Sequence, residues 1–313
     1  MNIKHFYSIT PLCLLKFSAI ISISCINIIL FSFPSYADSV ISPPEAQVVT
    51  PTENTSHQEF ETTGPVVPVD KISLGYVKII FTDTGKIVAS PLHWDSIDWM
   101  KAGIVLGATG GFYLLDGSIR NFAQSHQNSV VDKFASVGNG LGNPFISLPS
   151  VGAFYLYGSL ADNKKARETS LLAIESLAIS ELFTSTIKVI AQRSRPNTGA
   201  SPSAWDGPHL NLNNLSFCSG HTTSSFSIAT VIAEEYKDTR YVPPIAYSLA
   251  VLTGFSRVYG SYHWSSDVFF GAAVGYFVGQ AVVKYHMVDT LGKFSLIPMV
   301  DGNYKGLALT YKF

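Results

Sequence analysis

The sequence predicts an all-α protein: a six-helix bundle with a small β-hairpin before it and a strand added after it. Three observations carry that expectation. Six apolar segments follow one another between about residue 94 and residue 286, each bounded by turn-forming residues. Charged residues are 14% of the 313-residue chain and hydrophobic residues 47%, the balance of a compact helical or membrane protein with little polar surface. Segments that read as strands occur only outside that region, at 76–89 and 306–313.

The charge balance excludes two classes. Lys plus Arg total 21 against 22 Asp plus Glu, a formal net charge of -1. A nucleic-acid binder normally carries a basic surplus or stripe. A disordered chain needs low hydrophobicity and high net charge. Neither fits.

In chain order, the first element is a stretch without charge from Phe17 to Ala37, preceded by Lys4, His5 and Lys16 and ending Ser35-Tyr36-Ala37-Asp38. Basic flank and small-x-small exit read as a secretory signal peptide over 1–37, cleaved after Ala37, with a retained anchor helix as the alternative. Cleavage removes Cys13 and Cys25 and leaves Cys218 as the single cysteine. The mature chain then has no internal disulfide, and its core must supply its stability.

Residues 38–70 are rich in Pro, Thr, Glu and Val without a period and read as an extended tether. Tyr76–Phe81 and Lys86–Ala89, with Gly85 between them, read as a hairpin within 71–93 that Pro91 ends. The helical domain, 94–290, follows. Its apolar segments are Ala102–Leu115, Phe145–Ala161, Leu171–Ala191, Thr222–Tyr236, Ile245–Phe255 and Val268–Val283. Gly138–Pro144, Asp162–Lys165, Pro196–Ser216 and Pro243-Pro244 separate them as turns and loops. A membrane span needs about 20 apolar residues. Most segments fall short, Pro149 interrupts the second, and Leu171–Ala191 carries Glu175, Glu181 and Lys188. Buried helices of a soluble, periplasmic protein are therefore expected, with peripheral membrane contact left open. Residues 291–313 end in an alternating strand, Gly306–Phe313, expected to pair with the hairpin.

Three stretches bring together groups suited to a phosphoryl group. In the first, Lys188 and Arg195 are seven apart, near two helical turns, so one helix face can present both before Pro196 stops the helix. Such a cation pair needs an anion or solvent, and a solvated helix end is the plainer alternative. In the second, Ser219-Gly220-His221 enters an apolar helix, where the first N–H groups lack internal acceptors and can cradle an anion. In the third, Ser256-Arg257 precedes His263, and Asp267 lies four residues further on, near enough for its carboxylate to fix the imidazole tautomer.

Together, Lys188…Arg195-Pro196, Ser219-Gly220-His221 and Ser256-Arg257…His263…Asp267 resemble the three-part signature of the type 2 phosphatidic acid phosphatase superfamily. That group includes bacterial acid phosphatases, membrane lipid phosphatases and vanadium haloperoxidases. The resemblance implies a six-helix core over about 94–286. It implies His263 as a nucleophile forming phosphohistidine, Asp267 as its orienting partner, and His221 as the acid for the leaving group. Lys188, Arg195 and Arg257 would hold the phosphate oxygens, with Ser219 and the Gly220 backbone. It implies no metal or other cofactor. The substrate would be a phosphorylated small molecule or a lipid phosphate or pyrophosphate.

One position departs from the pattern: Cys218 stands where the family usually has proline before Ser-Gly-His. This removes no acting group, and an inert buried thiol is expected. His57, His93, His126, His209 and His286 show no ligand spacing. Asp116 reads as a helix cap, and Trp205, Asp206 and His209 as candidates for the pocket mouth. Tyr259, Tyr262 and Trp264 surround His263 in sequence, to shape access or to pack. Two rival readings of the same core are a vanadate-dependent haloperoxidase and a non-catalytic envelope scaffold.

Overall fold

A computed structural model of the chain describes residues 69–208, 214–291, 294–301 and 304–311, with side chains up to His286. The expected signal peptide and nearly all of the tether lie outside the described residues. The fold is all-α, with eight helices among the described residues rather than six. They are α1 (Leu74–Ala89), α2 (Ser96–Ser125), α3 (Ser129–Leu141), α4 (Pro144–Leu160), α5 (Lys164–Ala191), α6 (Gly220–Glu235), α7 (Val242–Tyr259) and α8 (Ser265–Leu291). Two strands, β1 (Phe294–Asp301) and β2 (Tyr304–Tyr311), pair antiparallel after α8. The C-terminal strand thus pairs with residues just before it and not with 76–89, which is no hairpin.

The expected hairpin is α1. Ser73 caps it, its hydroxyl accepting from Tyr76 N at 3.1 Å. The buried residues Tyr76, Asp83 and Ile87 recur at helical spacing, while Leu74, Val77, Phe81 and Val88 point outward. Tyr76 Oη donates to the Leu171 carbonyl at 2.7 Å, docking α1 on α5. Tertiary burial overrides the β-propensity of Val, Ile and Phe.

The other unexpected helix, α3, begins at Asn128, whose side chain accepts from Val130 N and Val131 N. Its glycines looked like a turn. They are helical because α3 crosses α7 closely: a side chain at Gly138 would overlap the Leu252 carbonyl. Helix α4 runs through Pro149 without a break. Near the start of the helix, that proline removes one backbone bond.

Helix α6 is central, packing against α5, α7 and α8. Small and polar residues make up most of its buried positions, Thr222, Thr223, Ser224, Ser227 and Thr230 among them, alongside the apolar Phe226, Ala229, Val231 and Ala233. Gly271, Gly275 and Gly279 of α8 lie against it, and a Cβ on Gly271 would come within 2.8 Å of Ser219 O. Small residues at intervals of four let two backbones approach closely, a packing mode common within membranes.

Among the described residues, three helices, over Ser96–Ser125, Lys164–Ala191 and Ser265–His286, are long and apolar enough to cross a membrane. The expected sub-span lengths are corrected here, because each helix continues through polar residues beyond its apolar run. In α2 only 6% of the apolar window is buried inside the protein. Ile97, Trp99, Met100, Ile104, Leu106, Leu114 and Leu115 all face outward.

Candidate active site

The three sequence stretches meet where α5 ends, α6 begins, α7 ends and α8 begins. Helix α5 stops at Ala191, with Gln192 in the left-handed conformation at φ 46° and its N–H bonded to Lys188 O. The expected single helical face carrying Lys188 and Arg195 is therefore corrected: Lys188 is helical, and Arg195 is extended at φ -80°, ψ 151°. The physical reason is Arg193, which is fully buried and pulls the chain out of the helix to reach two carboxylates.

Arg193 Nη1 donates to Asp267 Oδ1 at 2.5 Å and to Ser266 Oγ at 2.8 Å. Its Nη2 donates to Asp116 Oδ2 and to Pro202 O, each at 2.7 Å. The guanidinium lies 4.6 Å from the Trp205 ring centroid, with Tyr113 and Trp264 close by. Asp116, in the middle of α2, also accepts from Ser265 Oγ at 2.6 Å and Ser266 N at 2.9 Å. It caps α8 from across the bundle. Neither Arg193 nor Ser216 stood out in the sequence. Three cations within 188–195 carry no mark of which will meet carboxylates, and a lone serine carries no signal at all.

His263 sits in the turn before α8 and is almost fully buried. Its Nδ1 donates to the Ser216 carbonyl at 2.8 Å, while Asp267 Oδ2 lies 3.7 Å away. Besides Asp267, the expected orienting partner, the Ser216 carbonyl contacts the same ring nitrogen. The Ser216 carbonyl fixes the tautomer and leaves Nε2 with its lone pair. Asp267 Oδ2 is held by Ser216 Oγ at 2.5 Å and Trp264 N at 3.0 Å, so it acts on the ring as a nearby negative charge. Trp264 packs, its Nε1 bonded to Ser194 O at 2.9 Å.

His221 lies in the first turn of α6, half-buried. Ser219 N donates to Asp267 O at 3.0 Å and Ser219 Oγ pairs with Thr222 Oγ1 at 2.9 Å, so the Ser219 amide is already engaged. The free donors at this helix start are the following amides, from Gly220 onward. Lys188 Nζ donates to Leu215 O at 2.7 Å. Arg257 stacks on Tyr262 at 4.2 Å and bonds Asn139 Oδ1, while its buried Nε has no partner. Among the described residues, none of Lys188, Arg195 and Arg257 forms an ion pair.

The two histidines feel this charge. Burial lowers the His263 pKa to about 3, with Lys188 and Arg195 acting in the same direction and Asp267 opposing them. Burial also lowers His221 to about 4, followed by the fields of Arg257, Arg195 and Lys188. Both imidazoles are neutral at pH 7. Burial raises the Cys218 thiol, which is enclosed and 3.9 Å from Thr184 Oγ1, an environment for an unreactive thiol. Trp205 and Asp206 lie in the loop beside Arg193, and His209 lies outside the described residues.

A family model described as the PAP2 superfamily matches residues 169–290. Over 66 residues the chain is 42% identical to a lipid A 1-phosphatase of Porphyromonas gingivalis, covering 21% of this chain and 15% of that protein. Over 71 residues it is 35% identical to a lipid A 4'-phosphatase of the same organism, covering 23% of this chain and 30% of that one. The matches thus span less than a third of either relative. Among solved structures, the chain resembles LpxE of Aquifex aeolicus, with TM-score 0.45 and 22% identity over 55% of this chain and 96% of that one. It also resembles a transmembrane PAP2-type phosphatidylglycerolphosphate phosphatase of Bacillus subtilis, with TM-score 0.44 and 19% identity over 69% and 96%. The segment that matches the PAP2 superfamily model, residues 169–290, holds all three sequence stretches.

Proposed function

We propose that this protein is a membrane-embedded phosphatase that removes a phosphate from a lipid through a phosphohistidine intermediate. The observation that carries this reading is the set of three cations without carboxylate partners among the described residues, gathered around two neutral histidines, one of which keeps Nε2 free.

In the first step His263 Nε2 attacks phosphorus, the bond to the leaving oxygen breaks, and His221 gives that oxygen a proton. In the second, neutral His221 takes a proton from water as the water oxygen attacks phosphorus. The P–N bond breaks, and inorganic phosphate leaves. Lys188, Arg195 and Arg257 meet the charge on the non-bridging oxygens throughout. A proton reaches His221 because the incoming phosphate dianion offsets the cations that depress its pKa. None of these steps uses a metal.

A lipid substrate is supported by the outward apolar face of α2 and by a cleft of ≈ 250 Å³ beside Ser266, lined by Thr109, Gly110, Tyr113, Trp205 and Phe217. The lipid A phosphatases among the relatives point to phosphorylated lipid A as the first substrate to test. The full chain in detergent should release phosphate from it, and His263→Ala should abolish release and the alkali-stable labelled protein. Turnover of a soluble aryl phosphate alone would favour a broad acid phosphatase. No turnover of either by folded protein would overturn the enzyme reading.

A further inference from the structure

A second polar cluster lies far from the active site. Asp83 of α1, Glu175 of α5 and His286 of α8 bring one donor atom each within 4.8 Å of one another. His286 is nineteen residues beyond Asp267 on α8, about 28 Å along a helix rising 1.5 Å per residue. His286 Nε2 lies 3.0 Å from Glu175 Oε2 and 3.6 Å from Asp83 Oδ2. The carboxylates of Asp83 and Glu175 are at least 97% buried, yet Asp83 Oδ2 and Glu175 Oε1 have no hydrogen-bond partner. Two carboxylates enclosed together repel unless a cation or a proton sits between them.

We infer that Asp83, Glu175 and His286 form a binding site for a divalent transition-metal ion, with Zn²⁺ best matched to one imidazole nitrogen and two carboxylate oxygens. Tetrahedral zinc bonds of about 2.0–2.2 Å set ligand-to-ligand edges of about 3.3–3.6 Å, near the 3.0 and 3.6 Å that separate His286 Nε2 from the two carboxylates. The second oxygen of Asp83 is held by Lys86 Nζ at 2.8 Å, which aims Oδ2 inward. The Tyr76–Leu171 bond already docks α1 on α5, so two of the three ligands are in place before an ion arrives. The side chain of His286 is 11% exposed, which makes it the point of access. The ion fastens α1 to the bundle, and the reaction at His263 does not involve it.

The test uses the full chain in detergent, stripped by chelator and titrated with Zn²⁺ by calorimetry. The expected result is about one ion per chain, an unfolding temperature that rises on loading, and visible absorption bands of tetrahedral coordination when Co²⁺ replaces Zn²⁺. His286→Ala and Asp83→Asn should each weaken binding at least about tenfold, while His263→Ala should retain the ion. No binding by wild-type protein overturns the site. Unchanged affinity in folded His286→Ala and Asp83→Asn, or loss of the ion in His263→Ala, also overturns it. If those variants fail to fold, the wild-type stoichiometry and Co²⁺ spectrum decide.

Discussion

Arg193 Nη1 and Asp267 Oδ1 lie 2.5 Å apart, and neither side chain has any exposure to solvent. Through this pair the loop after α5 is tied to the first turn of α8, and through Asp116 to α2. Every oxygen of Asp116 and Asp267 has a donor. Such a network is robust when whole and costly when one member is removed.

Arg193→Met should therefore destabilise the protein by about 3–5 kcal/mol, the cost of leaving buried charge without its partner. Arg193→Lys should recover only part of this, because a single ammonium cannot serve Asp116 and Asp267 at once. Unfolding midpoints in detergent measure both. An Arg193→Met protein as stable as wild type would show that the network holds nothing together.

His221 should take up a proton when phosphate binds. Its pKa is about 4 in the free protein because burial and three cations disfavour the charged form. A bound dianion reverses the field and raises the pKa, so between the two values binding draws a proton from the buffer. Calorimetry of inorganic phosphate binding at pH 7.5 in buffers of different ionisation enthalpy reads that uptake. His221→Asn should abolish it while still binding phosphate.

Acid should destabilise the fold through His263. Its folded pKa of about 3 lies below the ordinary histidine value of about 6.5. The unfolded chain thus binds the proton first as pH falls. The contribution is fully present above about pH 6.5 and is lost progressively down to about pH 3. His263→Gln should flatten the fall in unfolding temperature across that window. An equal slope in the variant would assign the acid sensitivity elsewhere.

Gly275→Val should loosen the contact between α6 and α8, where a side chain would overlap the Thr223 carbonyl. Overpacking of this kind costs about 1–3 kcal/mol. The same helix carries Asp267, so activity should fall with stability. Gly103→Val is the control, since a Cβ at that position would meet nothing within 4 Å.

A large part of the candidate site was legible in the chain because the groups that the proposed phosphoryl chemistry would need stand at close spacing. Lys188, Arg195, His221, Arg257, His263 and Asp267 each lie within one of three short stretches. The six apolar segments of the helical region were legible too, since a run of apolar residues between turn formers has few other uses. Their ends were not. Asp95 and Asn163 cap helices that begin six and seven residues before the apolar runs at Ala102 and Leu171.

What lay hidden depends on partners distant in sequence. Residues 76–89 favour strand locally, and only burial against α5 makes them a helix. Arg193 is one cation among three until Asp116 and Asp267 reach it across 77 and 74 residues. The tautomer of His263 is set by the Ser216 carbonyl, a backbone atom that no side-chain pattern encodes. His286 has no ligand spacing of its own and meets Glu175 across 111 residues. The sequence by itself determined which candidate groups this protein offers for the proposed chemistry, because that rests on residue type and local spacing. Tertiary structure alone decided which of the described charges form ion pairs and which do not, because pairing is a property of packed helices.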